Sequence, residues 1–188
     1  MPSATIYSDR LDLIPFTADF MRASLARNLP EAERLLGVPL PATWPEFPDK
    51  LARRLRQLEE DPSLEPWLIR AIVLRDEHIK VGHIGFHEAP GPEHYREIAP
   101  GAAEFGYNIY EPYRRRGYAR EAALALMHWA HREHSVPRFV LTISPENLPS
   151  QALAANLGFV RIGSHIDEVD GPEDILVYHV ATPPPPAT

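Results

Sequence analysis

The sequence contains no cysteine among its 188 residues. This absence excludes disulfide bonds, thiolate metal ligands and a cysteine nucleophile. It also excludes a ping-pong route through an acyl-cysteine, so any group that this chain transfers would have to pass directly from donor to acceptor.

Long apolar runs are also absent. No window approaches the roughly 18 apolar residues of a membrane-spanning helix, and the first ten residues lack the apolar segment of a signal peptide. The formal net charge of -7 argues against nucleic acid as the main partner, because binding to a phosphate backbone normally requires a broad basic surface. We therefore expect a cytoplasmic protein that binds neither nucleic acid nor membrane.

The composition is that of one ordinary globular domain, with 44% hydrophobic and 24% charged residues. We expect this single domain to span residues 1–182. The remaining residues, 183–188, begin with four consecutive prolines and are expected to form a disordered tail.

Apolar periodicity and turn signals divide the chain into strands and helices. Strands are predicted over residues 6–15, 67–74, 80–87, 104–110, 138–144, 160–166 and 175–180, and helices over residues 18–28, 49–60, 120–134 and 148–157. Thr17 is expected to cap the first helix. Residues 30–48 are expected to be irregular because of their prolines, and residues 89–101 to form a surface loop. This order predicts an α/β (α+β) fold with a mixed, mostly antiparallel central sheet of about seven strands and helices on both faces.

Three consecutive arginines and a glycine join the strand over residues 104–110 to the helix over residues 120–134. This segment, Arg114-Arg115-Arg116-Gly117-Tyr118-Ala119, is called the arginine turn below. A strand that turns through basic residues and a glycine into a helix directs backbone N–H groups and the positive end of the helix dipole to one point. The arginine turn is therefore predicted to bind the pyrophosphate of a cofactor.

Two motifs resemble those of a known family. The spacing Arg114-x-x-Gly117-x-Ala119 resembles the Arg/Gln-x-x-Gly-x-Gly/Ala signature of the GNAT superfamily of acetyl-CoA-dependent N-acetyltransferases. Residues 147–159, which read Asn-Leu-Pro-Ser-Gln-Ala-Leu-Ala-Ala-Asn-Leu-Gly-Phe, resemble the second motif of its RimJ/RimL-type branch. Residues 9–15 are similar to the first strand of that branch. The resemblance covers nearly the whole chain, and the two motifs follow each other in the family's order and at its distance.

The resemblance implies a GNAT fold in which two neighbouring parallel strands, here residues 104–110 and 138–144, splay apart and admit the pantetheine arm of acetyl-CoA. Unpaired backbone groups of Tyr107–Tyr110 would then bind the amides of the cofactor. The resemblance further implies acetyl-CoA as co-substrate, a primary amine as acceptor and no metal. The residues implied in cofactor binding are Tyr107, Asn108, Ile109, Arg114, Arg115, Arg116, Gly117, Tyr118, Ala119, Asn147 and Ser150.

The chemistry that the resemblance implies is the attack of a neutral amine on a thioester, from which coenzyme A leaves as a thiolate. Glu104 is the candidate base, acting through water, and Ser150 is the candidate partner of the leaving sulfur. Many GNAT enzymes carry a tyrosine just after the leucine of the second motif as general acid, whereas this chain has Ala154. That departure leaves the role to Ser150 or to solvent.

The same residues also have ordinary structural interpretations. Gly117 could simply open a helix, and the three arginines could form a solvated turn. Asn147 suits an N-cap, and Gly158 followed by Phe159 suits the end of a helix. Glu104 could be a solvent-facing residue at the start of a strand.

Nine histidines raise the question of a metal. His128, His131 and His134 drift around their predicted helix instead of forming an i, i+4 pair, and no His-Glu-x-x-His occurs, so no metal is expected. His83 and His87 are expected to be half-exposed residues on one face of a strand, one of which could face an acceptor pocket.

The acceptor stays open between protein N-termini, polyamines, amino acids and aminoglycosides, and the acidic balance only tilts toward a cationic one. A non-catalytic module that senses acetyl-CoA or CoA is the alternative to an enzyme. A nucleotide-binding domain of another fold is disfavoured, because neither Gly-x-x-x-x-Gly-Lys-Ser/Thr nor Gly-x-Gly-x-x-Gly occurs. Residues 30–60 and 89–101 are predicted to form the acceptor pocket or a homodimer contact, anchored by Trp44, Phe47 and Tyr95, unless these aromatics only fix the loops to the core.

Overall fold

The structure is a computed structural model, and it describes residues 4–167 and 171–180. The strands are β1 (Ile6–Tyr7), β2 (Leu11–Pro15), β3 (Arg70–Leu74), β4 (Ile79–Phe86), β5 (Ala102–Ile109), β6 (Arg138–Ile143), β7 (Val160–Asp167) and β8 (Gly171–His179). The helices are α1 (Ala18–Leu25), α2 (Leu29–Leu36), α3 (Pro48–Glu60), α4 (Tyr118–His134) and α5 (Leu148–Leu157). The tail predicted over residues 183–188 lies outside the described residues.

The eight strands form one mixed, mostly antiparallel sheet in the order β1-β2-β3-β4-β5-β6-β8-β7. The parallel pair is β5 with β6, and its register runs from Ala102 opposite Arg138 to Glu104 opposite Val140. Both strands continue beyond this register, β5 to Ile109 and β6 to Ile143. The α/β class and the mixed sheet are therefore confirmed, with one strand more than expected.

The additional strand arises because residues 6–15 form two strands instead of one. Ser8 and the two residues after it make a tight turn, closed by a hydrogen bond of 3.0 Å from the Ser8 N–H to the Leu11 carbonyl. The Leu11 N–H in turn donates to the Ser8 side-chain oxygen at 3.2 Å. Serine and aspartate favour such turns because their side chains bond to nearby backbone groups.

Contacts divide the chain into two compact units, which we describe separately. The first comprises Met1–Ala89 and Gly106–Met127, and the second comprises Pro90–Phe105 and His128–Thr188. A single domain over residues 1–182 therefore stays a prediction.

In the first unit, a helix lies where irregular chain was expected. Asn28 caps α2 by accepting a hydrogen bond from the Glu31 N–H. Pro30 occupies the first turn of this helix, and Gly37, at φ +82°, ends it. The prolines of residues 30–48 suggested irregular chain, but a proline in the first turn costs no helical hydrogen bond. Thr17 caps α1 as predicted, by accepting from the Phe20 N–H at 3.2 Å.

The core of the first unit includes an aromatic cluster around Trp44, which is 4% exposed. Its ring contacts Phe16, Phe20 and Phe47 at centroid distances of 5.8, 5.8 and 5.5 Å. Its indole N–H donates to the Ser24 hydroxyl at 2.8 Å. Trp44 therefore fixes its loop to the core, which is the alternative that the sequence left open for this residue.

In the second unit, Tyr95 is 5% exposed and packs in a core cluster with Ala99, Ala102, Val140 and Val177. This residue also fixes its loop to the core, in agreement with the same alternative. Burial of a tyrosine in a proline-rich, charged loop is invisible to local patterns, because it depends on strands distant in sequence.

The second unit also contains α5, whose ends follow the predicted signals. Asn147 caps the helix by accepting from the Ser150 N–H, and Gly158, at φ +91°, ends it. Phe159 then packs against Phe105 and Tyr178 at centroid distances of 6.2 and 5.6 Å. Among the described residues, no helix combines the length and the hydropathy that a membrane crossing requires.

Candidate functional site

The arginine turn has two residues in the left-handed backbone region. Arg115 has φ +61° and Gly117 has φ +82°. The Gly117 carbonyl accepts a hydrogen bond of 3.1 Å from the Glu121 N–H, so the hydrogen-bond ladder of α4 starts at this glycine. A side chain would be strained at Gly117, because L residues rarely adopt this conformation. The glycine thus gives the sharp entry into α4 that the sequence predicted.

The three arginines of the turn are exposed. Arg114 donates from Nε to the Ile109 carbonyl at 2.9 Å, which holds its guanidinium beside the end of β5. The Arg116 guanidinium lies over the Tyr113 ring at 5.8 Å. The turn therefore presents positive charge to solvent next to the N-terminus of α4, where backbone N–H groups and the helix dipole favour an anion.

The last two residues of the turn are less accessible. Tyr118 is buried and Ala119 is half-buried. Any contact of Tyr118 with a phosphate would therefore have to come from its backbone N–H.

The end of β5 differs in part from the expectation of unpaired backbone. The Tyr110 N–H donates to the Val81 carbonyl at 2.9 Å, and the Ile109 carbonyl already accepts from Arg114. The prediction of unpaired groups along Tyr107–Tyr110 is wrong at these two atoms. A Cβ at Gly82 would clash with the Asn108 carbonyl oxygen, so the backbones of β4 and β5 approach each other closely here. Cofactor contacts of Tyr107, Asn108 and the Ile109 N–H stay predictions.

In the second unit, Glu104 is the third residue of β5 and is only 9% exposed. Its carboxylate accepts a hydrogen bond of 2.7 Å from the Thr142 hydroxyl. The interpretation of Glu104 as a solvent-facing end residue is therefore wrong. Thr142 on β6 orients the carboxylate, and no local pattern indicates this partner, because the contact joins residues 38 positions apart.

Ser150 is half-buried in the first turn of α5. Its backbone N–H donates to the Asn147 side-chain oxygen at 3.3 Å. Because the cap uses that oxygen, and the backbone N–H and carbonyl of Asn147 bond to Ser144 and Gln151, a contact of Asn147 with a cofactor would have to come from its amide NH₂. The neighbouring Gln151 donates to the Ile143 carbonyl at 3.2 Å, which ties the start of α5 to the end of β6.

The first unit contains a buried lysine that the sequence analysis did not identify. Lys80 on β4 is 3% exposed. Its ammonium lies 4.4 Å from the centroid of both the Trp44 and the Tyr110 ring and donates to the Tyr110 hydroxyl. Burial lowers the pKa of Lys80 to about 7, against a smaller opposing effect of Glu46. A pattern of alternating polar and apolar residues could not indicate the burial of Lys80, because every residue of β4 after the first is buried.

His83 is buried, so the prediction of half-exposure is wrong for this residue. Burial, followed by the charges of Lys80 and Lys50, lowers the pKa of His83 to about 3. Its ring packs on Phe47 at 4.3 Å. His87 is half-buried, as predicted.

Within residues 4–167 and 171–180, one group could offer three ligand atoms within 4.8 Å of one another, namely His165, Asp167 and Glu173 on the β7–β8 hairpin. The histidines of α4 do not belong to it. Exposed acidic groups often cluster without an ion, and we assign no metal to this group.

Comparison with known proteins agrees with the fold. Residues 10–160 match the acetyltransferase (GNAT) domain family, and the chain belongs to that family. Over 92 residues it is 34% identical to the uncharacterized N-acetyltransferase YnaD of Bacillus subtilis strain 168, an alignment that covers 49% of each chain. The chain spans about half the length of the curated relatives it matches.

Two solved structures show the same fold along nearly the whole chain. An acetyltransferase from Agrobacterium tumefaciens strain C58 is 27% identical, with a TM-score of 0.62 and 96% of each chain covered. RimL, a ribosomal L7/L12 alpha-N-protein acetyltransferase in complex with coenzyme A, is 16% identical, with a TM-score of 0.61 and coverage of 94% of this chain and 98% of that chain. The resemblance to GNAT enzymes is thereby confirmed.

Proposed function

We propose that this chain transfers the acetyl group of acetyl-CoA directly to a primary amine. The observation that carries the proposal is the arginine turn, in which three exposed arginines precede Gly117, whose left-handed backbone leads into α4. Positive side chains and the N-terminus of a 17-residue helix together suit the pyrophosphate of coenzyme A. In the proposal, Tyr107, Asn108 and the Ile109 N–H bind the pantetheine arm.

Glu104 is proposed as the base. An alkylammonium, with a pKa near about 10.4, must lose a proton before its nitrogen can attack. The Thr142 hydroxyl donates to the carboxylate of Glu104 and so orients the group that is proposed to accept the proton through water. The nitrogen then attacks the thioester carbon, a C–N bond forms, and the C–S bond breaks.

Ser150 is proposed to donate a hydrogen bond to the departing thiolate, which takes up the proton that the attacking nitrogen loses as the amide forms. Its backbone is fixed in the first turn of α5 by the Asn147 cap, which leaves the hydroxyl independent of the cap. Ala154 has no hydroxyl that could act as a general acid, so the proposal assigns this role to Ser150 or to solvent.

The acceptor is proposed to be a protein N-terminus or a small amine. A formal net charge of -7 favours a cationic acceptor over an anionic one. A cytoplasmic location and a homodimer are further expectations of the same proposal.

Thiol release from acetyl-CoA with a panel of primary amines tests the proposal. The panel contains a polyamine, an aminoglycoside, free amino acids and peptides with free N-termini. Amine-dependent thiol release, together with an acetylated amine of the expected mass, is the predicted result. Tight calorimetric binding of acetyl-CoA without turnover on any amine would favour the non-catalytic sensor instead.

A further inference from the structure

A salt bridge joins the turn between β1 and β2 to the first turn of α4. The Arg10 Nη2 lies 2.7 Å from Oε2 of Glu121, and the Arg10 Nε donates to the same oxygen at 2.7 Å. The Arg10 backbone N–H and the Ser8 hydroxyl both donate to Oε1 of Glu121 at 2.7 Å. Four donors from two neighbouring residues thus hold one carboxylate.

Arg10 also contacts the arginine turn itself. Its Nη1 donates to the Arg116 carbonyl at 3.2 Å, and its guanidinium lies over the Tyr118 ring at 4.6 Å. A Cβ at Gly117 would be 3.4 Å from Nη2 of Arg10. The guanidinium therefore lies against three consecutive residues of the arginine turn while it binds Glu121.

Glu121 places a negative charge where an anion is expected to bind. It is in the first turn of α4, and its N–H bonds to the Gly117 carbonyl. Burial alone would raise the pKa of Glu121, but the hydrogen bonds from Arg10 and Ser8 lower it below its usual value. The carboxylate is therefore ionised at neutral pH, and an uncompensated carboxylate at this point would repel a pyrophosphate.

We propose that Arg10 is a positioning residue for the pyrophosphate site, which holds the Arg116 carbonyl in place and cancels the charge of Glu121 beside the bound phosphates. The inference rests on the proposed function, since it requires that the arginine turn bind acetyl-CoA. Arg10 acts through the turn and has no part in the chemical step. Its loss should consequently weaken acetyl-CoA binding and leave kcat nearly unchanged.

The test compares Arg10→Gln, Glu121→Gln and the double variant in steady-state kinetics and calorimetry. Arg10→Gln removes the positive charge that compensates the ionised Glu121 and is expected to raise the KM for acetyl-CoA about tenfold, with kcat changed by less than about twofold. The double variant removes the uncompensated charge as well and should recover most of the affinity. A pair that only stabilised the fold would show no such recovery.

Acetyl-pantetheine, which lacks the pyrophosphate, provides the second readout. Its kcat/KM should be the same for Arg10→Gln and for the wild type. Arg22, which donates from Nε and Nη2 to Glu59 on another helix, is the matched arginine–carboxylate control. Arg22→Gln should leave the kinetic constants for both acetyl-CoA and acetyl-pantetheine unchanged.

Three results would overturn the inference. They are an unchanged KM for acetyl-CoA in Arg10→Gln, an equal loss with acetyl-pantetheine, and a double variant as weak as the single one. If Arg10→Gln does not fold, Arg10→Lys keeps the charge but cannot reach both Glu121 and the Arg116 carbonyl, and an unchanged KM would again overturn the inference. Wild-type protein that neither binds acetyl-CoA nor releases thiol would refute the proposed function, whereas wild-type binding with an unaffected Arg10→Gln refutes this inference alone.

Discussion

Gly117 has a backbone conformation that only glycine adopts without strain. Its φ of +82° is in the left-handed region, where a Cβ costs roughly 1 to 2 kcal/mol. Gly37, at the end of α2, has the same φ of +82°, and a Cβ there would meet no atom within 4 Å. The first unit therefore provides two glycines at which alanine would suffer similar backbone strain, and only one of them is in the arginine turn.

Gly117→Ala is predicted to raise the KM for acetyl-CoA, because it distorts the turn and places a methyl group where the phosphates would approach. Gly37→Ala should lower the free energy of unfolding by a similar amount, about 1 kcal/mol, without changing the KM. Calorimetric titration with acetyl-CoA and urea denaturation measure the two effects. Equal acetyl-CoA affinity in both variants would show that the pyrophosphate does not bind at the arginine turn.

Lys80 should make stability depend on pH. Its pKa is about 7 in the folded protein and 10.5 in the reference state, so between these values the unfolded chain binds more protons than the folded one. The free energy of unfolding contributed by Lys80 is therefore lowest below pH 7 and rises as the pH increases toward 10.5. The full effect is roughly 3 to 5 kcal/mol, at about 1.4 kcal/mol per pKa unit.

Lys80→Met is the comparison that isolates this effect. Urea denaturation of both proteins between pH 6 and 9.5 should show a difference in unfolding free energy that narrows as the pH rises, since the wild type gains stability and the variant lacks this gain. Parallel curves would mean that Lys80 keeps an ordinary pKa in the folded state.

At the scale of elements, cap residues contributed to the prediction of α1 and α5, whereas α2 was missed although Asn28 and Gly37 cap both of its ends. Thr17 starts α1, and Asn147 and Gly158 delimit α5, because each of these residues satisfies helix ends through contacts within a few positions. The split of residues 6–15 was missed because its turn has no glycine or proline. The helix α2 was missed because the prolines around it were interpreted as breakers.

The sequence allowed prediction of only those parts of the candidate site that consist of residues close together in the chain. The arginine turn and the start of α5 are continuous segments with recognisable spacing. Glu121 pairs with Arg10 across 111 positions, and Thr142 pairs with Glu104 across 38, so no local pattern could indicate either contact. Burial of Lys80 likewise depends on Trp44 and Tyr110, which come from different segments.

The first turn of α5 allows its structural and chemical roles to be separated. Ser150 contributes its backbone N–H to the Asn147 cap, and this hydrogen bond is kept in Ser150→Ala. The variant is therefore predicted to retain its stability, while kcat falls about tenfold to a hundredfold, equivalent to roughly 1.4 to 2.7 kcal/mol, because the hydroxyl assists only as charge develops on sulfur. Denaturation and steady-state kinetics check the two halves, and an unchanged kcat would reduce Ser150 to a helix-start residue.

On the scale of the whole molecule, the net negative charge of the chain would repel the anionic acetyl-CoA of the proposed function and attract a cationic acceptor. The formal net charge is -7, while the arginine turn is a local concentration of positive charge. Long-range attraction of a cationic acceptor to an acidic protein is weakened by salt, since the Debye length shortens to about 8 Å at about 0.15 M ionic strength. Acceptors that differ in charge should therefore respond differently to salt.

A polyamine acceptor is predicted to lose several-fold in kcat/KM between low salt and physiological ionic strength, mainly through a higher KM, because steering by opposite charge is lost. A monoamine whose remaining groups are neutral should change much less, and it serves as the control for general salt effects on the enzyme and on acetyl-CoA binding. Initial rates at saturating acetyl-CoA measure both acceptors under identical conditions. Identical salt profiles would show that the acidic surface does not guide the acceptor, and that the choice of amine depends on short-range contacts alone.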